Sequence, residues 1–216
     1  MINSRGSVLA CVMSVGFTLY PPQPLEAQTP KEPPPVIVRS MPPDKGEIVG
    51  NTYKNIALGL EFTPDPNLKL GTPEVKGSPE SGAQIVTVAA LGEKKWFSAN
   101  DETVFYADFT SYPESRRSTE AYMQRIVRTN ESEGLQLVKS TGEEHFGGML
   151  FSRSDFERSS MYEAVYAKTC DAFTLVFIFA GSDPQGVNKL IAQTRVKLDL
   201  KNPGCHDKSS TTPSKK

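Results

Sequence analysis

The sequence predicts an α+β domain whose main element is a mostly antiparallel β-sheet flanked by helices. Three observations lead to this prediction. Several short segments carry apolar residues at every second position, which is the period of a half-buried strand. Two other segments repeat apolar residues every three or four positions, as amphipathic helices do. The strand segments follow one another in runs, with the helices inserted late, and this order is typical of an antiparallel sheet.

The first strand is predicted at Leu58–Phe62, where Gly59 and Glu61 occupy the outward face and Pro64 and Pro66 follow. The other predicted strands are Ala83–Leu91, Glu102–Tyr112, Leu135–Ser140, Gly147–Glu157, Met161–Cys170, Ala172–Gly181 and an edge strand at Val196–Leu200. The segment Ala172–Gly181 is apolar at almost every position, so we expect a central strand with both faces covered.

Both helices have recognisable start signals. Ser118 is a good N-cap for the first helix, which Gly134 is expected to end. Its apolar face comprises Tyr122, Met123, Ile126 and Val127, with Arg125 and Arg128 opposite. Asp183 is the predicted N-cap of the second helix, followed by Pro184 at the first helical position. The apolar face of this helix comprises Val187, Leu190, Ile191 and Thr194.

The two ends of the chain differ in composition from the middle. Residues 1–27 contain a basic residue, the apolar run Val8–Tyr20 and a small residue before Gln28, which together predict a secretory signal peptide. An uncleaved anchor is the alternative. Proline-rich residues 28–46 predict an extended linker, residues 47–201 a single α+β domain and residues 202–216 a disordered polar tail. We therefore expect an exported protein, periplasmic or secreted.

The charge and cysteine content restrict the partners and the redox setting. The net charge is −1, which gives no long-range attraction for nucleic acid or an anionic membrane. No second apolar segment is long enough to span a membrane after signal removal. Cleavage leaves Cys170 and Cys205, and an even pair in an oxidising compartment predicts a disulfide. Two free thiols are the alternative.

The search for catalytic chemistry finds weak signals. His145 follows Glu143 and Glu144, but neighbouring side chains on an extended chain point to opposite faces, so we interpret this segment as a solvated turn rather than a metal site. Asp155 and Glu157 are interpreted as surface residues ion-paired with arginines on the same strand. The sequence therefore predicts no catalytic residue, no metal site and no cofactor.

Two local motifs suggest contacts with other molecules. Asn130-Glu131-Ser132 matches the acceptor motif for N-glycosylation. The predicted loop Gly92–Asn100 carries four residues, Lys94, Lys95, Trp96 and Phe97, that combine adjacent aromatics with positive charge. Because tryptophan is enriched both at protein interfaces and at membrane surfaces, we predict that this loop binds a partner or a membrane surface. The alternative is that an aromatic side chain folds back to cover the sheet.

The pattern Tyr53-x-Asn55, continued by Leu58–Phe62 and Pro64, resembles the first hairpin of the PsbP-like and DcrB-like group of small exported domains. The later segments follow in a similar order up to about residue 200, although Pro66-Asn67-Leu68 stands where the group usually has a proline-tryptophan turn. The resemblance implies a PsbP-like α/β/α sandwich and an accessory or assembly role without a shared catalytic site.

Three functions follow as hypotheses. The first is a non-enzymatic accessory or binding domain that acts on a protein partner or an envelope component. The second is a carrier of a small apolar ligand such as a lipid, because the predicted sheet and helix faces are rich in Phe, Tyr and Met. The third is an enzyme of unknown reaction.

Overall fold

The computed structural model describes residues 44–78, 83–92, 101–110, 118–170 and 173–199, and these form twelve strands and two helices. The strands are β1 (Glu47–Val49), β2 (Thr52–Asn55), β3 (Leu60–Thr63), β4 (Lys69–Leu70), β5 (Glu74–Ser78), β6 (Ala83–Leu91), β7 (Glu102–Asp108), β8 (Gln136–Phe146), β9 (Met149–Arg158), β10 (Met161–Thr169), β11 (Thr174–Gly181) and β12 (Arg195–Leu198). The helices are α1 (Thr119–Ser132) and α2 (Pro184–Gln193). Neither described helix is long and apolar enough to cross a membrane.

The larger sheet has the strand order β4-β6-β7-β11-β10-β9-β8, and β5 also pairs with β6. Its described pairings are all antiparallel. Strand β11 lies between β7 and β10, and its residues Leu175, Val176 and Phe177 are all fully buried. The prediction of a central strand with both faces covered is confirmed.

One face of the larger sheet is covered by α2 and by a second sheet of order β1-β2-β3-β12. Aromatic rings join the two sheets. The ring of Phe62 lies 6.2 Å from Phe105 and 5.8 Å from Phe177, and the ring of Tyr53 lies 5.7 Å from Phe105. Each such pair is worth about 0.5–1.5 kcal/mol beyond the area that it buries. Val187 and Leu190 of α2 complete this core.

The opposite face of the larger sheet carries α1. The buried helix residues Tyr122, Met123 and Ile126 contact a second core that includes Phe156 and Val176 of the sheet. The apolar face predicted for this helix is therefore confirmed. Ser118 caps the helix by accepting a hydrogen bond from the Ala121 N–H at 3.0 Å, and Gly134 follows the helix with a φ of +86°.

These observations confirm a sheet-dominated α+β fold with two helices. Much of the face that α2 contacts is occupied by the second sheet, so the finer assignment to a PsbP-like α/β/α sandwich stays a prediction. The predicted signal peptide, the linker as far as residue 43 and the tail lie outside the described residues. The boundaries predicted for these regions also stay predictions.

Two strand predictions need correction. Strand β8 continues to Phe146, so His145 lies in a strand and not in a turn. The sequence does not indicate this part of the strand, because its side chains are mostly polar and exposed. Two register shifts also interrupt the alternation of buried and exposed side chains along β8. Strand β3 begins at Leu60, so Gly59 lies in a turn, where its φ of +61° suits glycine. Leu58 is nevertheless buried, as predicted.

Strands β1, β4 and β5 were not predicted, because each is short and carries few apolar residues, whereas β2 belongs to the hairpin that the pattern Tyr53-x-Asn55 resembles. Tyr53 and Asn55 of β2 hold the segment that leads into β1. The Tyr53 hydroxyl donates to the Lys45 carbonyl at 3.0 Å, and the Asn55 amide donates to the Asp44 carbonyl at 2.7 Å. The Tyr-x-Asn motif therefore fastens the chain where it joins the fold.

Candidate functional site

The loop predicted to bind a partner connects two adjacent strands. Leu91 of β6 pairs with Glu102 of β7, and the Gly92 N–H donates to the Asp101 carbonyl at 2.9 Å. The intervening residues 93–100 form the connection of this antiparallel hairpin. Lys94, Lys95, Trp96 and Phe97 lie outside the described residues, so their role in binding stays a prediction. The described strands establish where this loop leaves and rejoins the sheet.

Two large apolar side chains are exposed next to the root of this hairpin. Leu91 is 50% exposed and Val49, the last residue of β1 before the β1–β2 turn, is 54% exposed. The same turn is tied to β4 by Asn51, whose side chain bonds the Leu68 carbonyl at 2.9 Å and the Leu70 N–H at 3.3 Å. Residue 69, between those two contacts, pairs with Leu91. Val49 and Leu91 therefore belong to one end of the molecule, which we call the hairpin end.

Three other large apolar residues of the described chain are also exposed, namely Ile56, Val75 and Val138. Ile56 is 89% exposed and follows β2, whereas Val49 precedes it. The four residues of β2 separate the two turns by about 13 Å at 3.3 Å per residue. Ile56 therefore offers a comparison residue of similar chemistry outside the hairpin end.

A buried charged network lies on the α2 side of the larger sheet, centred on Arg153 of β9. Its guanidinium binds Asp155 through Nε and Nη2, at 2.7 and 3.0 Å. Nη1 donates to Glu144 at 3.0 Å and to the Tyr166 hydroxyl at 2.9 Å, and Nη2 donates to the Asn188 side chain of α2 at 3.1 Å. The contacts bring together β8, β9, β10 and α2.

The prediction that Asp155 is ion-paired with an arginine is confirmed, and Glu157 is exposed as predicted, but the prediction that Asp155 is a surface residue is wrong. Arg153 is 6% exposed and Asp155 is 2% exposed. Burial by itself would lower the pKa of Arg153, but the hydrogen bonds and negative charge of Asp155, with the charge of Glu144, raise it above its usual value. Arg153 therefore stays charged inside the fold.

The network also controls the ionisation of Glu144. Its partial burial favours the neutral form, but hydrogen bonds from Tyr166 and Lys139 and the charge of Arg153 lower its pKa. The Tyr166 hydroxyl donates to Glu144 Oε1 at 2.7 Å, and Lys139 Nζ donates to Oε2 at 3.2 Å. Nη1 also lies 3.1 Å from Glu144 Oε2, so the five N–H groups of Arg153 meet six acceptor atoms and no donor is left to bind a ligand. We interpret this network as structural.

The carboxylate of Glu144, next to His145, is not arranged to bind a metal ion together with that histidine. Glu144 is directed into the network of Arg153, and His145 is its exposed neighbour on β8. In the part of the chain that the structure describes, no group of three or more His, Cys, Asp or Glu side chains is arranged to hold a metal ion.

A second buried polar group fastens the first half of α1. Asp108 of β7 is 5% exposed and accepts a 2.8 Å hydrogen bond from the Tyr122 hydroxyl. Arg125 Nη2 lies 3.6 Å from the same carboxylate, and the guanidinium carbon lies 4.4 Å from the Tyr122 ring centre. Although Arg125 is on the helix face opposite the predicted apolar stripe, its side chain thus reaches back to the sheet.

The N-glycosylation motif lies at the buried side of α1. Asn130 is 8% exposed, and its Nδ2 atom, which would carry the sugar, donates to Glu163 at 3.0 Å. A glycan on this atom is incompatible with the folded arrangement. Burial of Asn130 depends on the sheet beneath the helix, so the motif alone could not reveal it.

Cys170, one member of the predicted cysteine pair, is buried and disulfide-bonded. Cys205 lies outside the described residues, so the pairing of Cys170 with Cys205 stays a prediction.

A cleft of about 310 Å³ lies near the end of α1. It is lined by polar residues and glycine: Gly134, Gln136, Glu157, Arg158 and Ser159.

Comparisons of the chain with models of protein families, with curated proteins and with solved structures find no match. The resemblance to the PsbP-like and DcrB-like group therefore stays a prediction.

The sequence did not predict that Val49 and Leu91 are exposed, because the exposure of an apolar residue at a strand end leaves no local signal. It also missed the burial of Arg153, which depends on residues from four elements.

Proposed function

We propose that this chain is an exported, non-enzymatic binding domain that docks a protein partner at its hairpin end. The observation that carries the proposal is the exposure of Val49 and Leu91 beside the root of the loop that contains Trp96. The N-terminal pattern supports export. The resemblance to the PsbP-like and DcrB-like accessory domains also supports a binding role, since a mostly antiparallel sheet with two helices agrees with their fold.

Exposed apolar side chains supply a driving force for docking. Fully burying a valine or leucine side chain contributes about 1.5–3 kcal/mol, so covering the exposed half of Leu91 contributes on the order of 1 kcal/mol. A tryptophan at the centre of an interface contributes more, since truncating a central aromatic residue often costs 2 kcal/mol or more. The predicted contribution of Trp96 is therefore larger than that of either aliphatic residue.

The described part of the hairpin end is preorganised. Asn51 holds the β1–β2 turn against β4, and β4 pairs with β6 beside Leu91. A surface that is already ordered loses less conformational entropy on binding. This favours a protein partner with a complementary apolar patch.

Capture experiments with matched variants test the proposal. The tagged mature protein and its variants Trp96→Ala, Leu91→Ser and Val49→Ser are incubated with an envelope extract, and captured proteins are quantified by mass spectrometry. We expect the same partner to be depleted about fivefold or more by each variant, at an unchanged melting temperature. Ile56→Ser is the control, because it removes a more exposed apolar side chain at the other end of β2. Equal loss with Ile56→Ser, or full capture by the hairpin-end variants, would contradict the proposal.

The carrier and enzyme hypotheses stay predictions without a specific supporting observation. The described core on the α2 side is occupied by mutually packed rings, including Phe105, Phe146 and Phe177. A binding domain is the better-supported proposal because its contact surface can be named.

A further inference from the structure

Three carboxylates lie around the C-terminal end of α1. Glu163 of β10 is half-buried beneath the helix and accepts the hydrogen bond from Asn130. Glu163 is opposite Ala180 of β11, and Ala180 is opposite Glu102 of β7. Two strand spacings place the Glu102 and Glu163 backbones about 10 Å apart on the same face of the sheet. Glu133 follows the last residue of α1.

The groups that face Glu163 leave its negative charge poorly compensated. In the described residues, α1 contributes Asn130 and Glu133, and β7 contributes Glu102 and the uncharged phenol of Tyr106. Strand β9 contributes Phe156 opposite Glu163 and Arg158 two residues later. Strand β11 contributes uncharged Ala180 and Ile178, and β8 contributes Leu137. The Arg158 guanidinium donates to the Glu133 carbonyl at 2.9 Å, where it caps the helix.

The end of a helix also disfavours a nearby anion. The unsatisfied carbonyls of the last turn carry a partial negative charge equivalent to about half an elementary charge. An ionised Glu163 therefore meets the helix end, Glu133 and Glu102, all of the same sign. A protonated Glu163 avoids this repulsion and still accepts the Asn130 hydrogen bond through its carbonyl oxygen.

We propose that the last turn of α1 is a pH-sensitive contact, which rests on the sheet while Glu163 is protonated and loosens when Glu163 ionises. The first half of the helix stays in place, because the Tyr122 hydroxyl and Arg125 fasten it to Asp108. The contact is thus a local device that is independent of the proposed docking function.

The pKa of Glu163 sets the pH range. Burial raises this pKa from 4.5 to about 7, the Asn130 hydrogen bond opposes the shift, and Glu133 and Glu102 add to it. Below about 4.5 the carboxyl is protonated whether the turn is docked or released, so docking keeps its full strength. Between 4.5 and 7 only the docked state holds the proton, so rising pH favours release. Above a pH of about 7, Glu163 is ionised in both states, and the loss of docking strength is complete.

Amide hydrogen exchange followed by NMR tests this proposal in the mature protein. The opening constants of Glu133 and Leu135, whose N–H groups bond Thr129 and Asn130 carbonyls, are compared between pH 5 and pH 8 after correction for intrinsic exchange. We expect an increase of at least about tenfold, because a pKa shift of one unit changes an equilibrium tenfold. The Tyr122 N–H, bonded to the Ser118 carbonyl, is expected to change much less.

Substitution separates Glu163 from its neighbours. Glu163→Gln keeps an acceptor for Asn130 and cannot ionise, so the opening constants should become independent of pH and match the wild-type value at pH 5. Glu131→Gln, an exposed change in the same turn, should keep the wild-type pH dependence. The proposal is overturned if wild-type opening is constant from pH 5 to 8, if Glu163→Gln retains the pH dependence, or if Tyr122 opens as much as Leu135.

A spectroscopic titration keeps the proposal testable if Glu163→Gln fails to fold. The carboxyl carbon of Glu163 is followed by ¹³C NMR in the wild-type protein. A midpoint near 7 supports the proposal, and a midpoint below 5 overturns it.

Discussion

Arg153 lies inside the fold with all its hydrogen-bond donors directed at named acceptors. Placing a guanidinium in the interior is costly unless each donor is satisfied and the charge is balanced. Asp155 and Glu144 provide the negative charges, and Tyr166 and Asn188 take the remaining donors. Without the arginine, the buried Asp155 would lose its balancing charge, whereas Lys139 would remain beside Glu144. The residue therefore determines whether four elements can pack together.

We predict that Arg153→Met lowers the free energy of unfolding by about 3–5 kcal/mol, because it leaves a buried carboxylate without its partner. The measurement is the midpoint of urea unfolding at neutral pH. Lys76→Met is the matched control, since Lys76 and Glu74 form an exposed pair at 3.5 Å. Exposed pairs contribute at most about 1 kcal/mol. Equal small losses in both variants would show that the Arg153 network does not stabilise the fold.

At the scale of elements, α1 is fastened at each end by different contacts. Ser118 caps the first turn, and Tyr122 and Arg125 bind Asp108. The last turn depends on the contact between Asn130 and Glu163 and on the arginine that caps the carbonyl of Glu133. The apolar residues between these ends bury one stripe of the helix. The two ends are therefore expected to respond differently to sequence and pH changes.

We predict that Ser118→Ala destabilises the protein by about 1 kcal/mol, because the Ala121 N–H loses its side-chain acceptor. Thermal unfolding followed by far-ultraviolet circular dichroism measures the loss. Ser118→Asp keeps an acceptor at the N-cap and places a negative charge at the positive end of the helix, so it should retain the wild-type stability. A loss of stability in Ser118→Asp as large as that in Ser118→Ala would contradict the role of the cap.

At the scale of the whole molecule, the two sheets are held in place by close contacts between distant segments. The turn between β8 and β9 contains Gly147 and Gly148, both with positive φ, at +59° and +82°. A Cβ atom on Gly147 would lie 2.8 Å from the Cβ of Val196 in β12. A Cβ atom on Gly148 would meet no described atom within 4 Å. The first glycine is therefore required by packing between the sheets, in addition to its backbone conformation.

We predict that Gly147→Ala is more destabilising than Gly148→Ala by about 1–3 kcal/mol, which is the usual cost of overpacking. Both variants place alanine at a positive φ, so the strain of that conformation largely cancels in the comparison. Urea unfolding of the two variants under identical conditions gives the difference. Equal stabilities would mean that the β8–β9 turn does not rest on β12.

Much of the fold could be predicted from local patterns. The bounds of β6 were predicted to the residue, and the starts of both helices follow from Ser118, Asp183 and Pro184. The candidate contact loop lies between the paired strands β6 and β7, and its residues 93–100 lie outside those described, so its structure and role stay predictions. The second half of β8 and the short strands β1, β4 and β5 were missed, because polar and short segments carry little periodic signal.

The sequence by itself determined the apolar stripes of both helices, the covered central strand β11 and the turn after β2. These features follow from the backbone preferences of each residue and from side chains a few positions apart. Only the tertiary structure decided that Arg153 is buried, that Asn130 meets Glu163 and that Val49 and Leu91 lie at one end. Arg153 and Asn188 are 35 positions apart, and Asn130 and Glu163 are 33 apart. The charge state and exposure of such residues depend on the order in which strands pair, which no local pattern encodes.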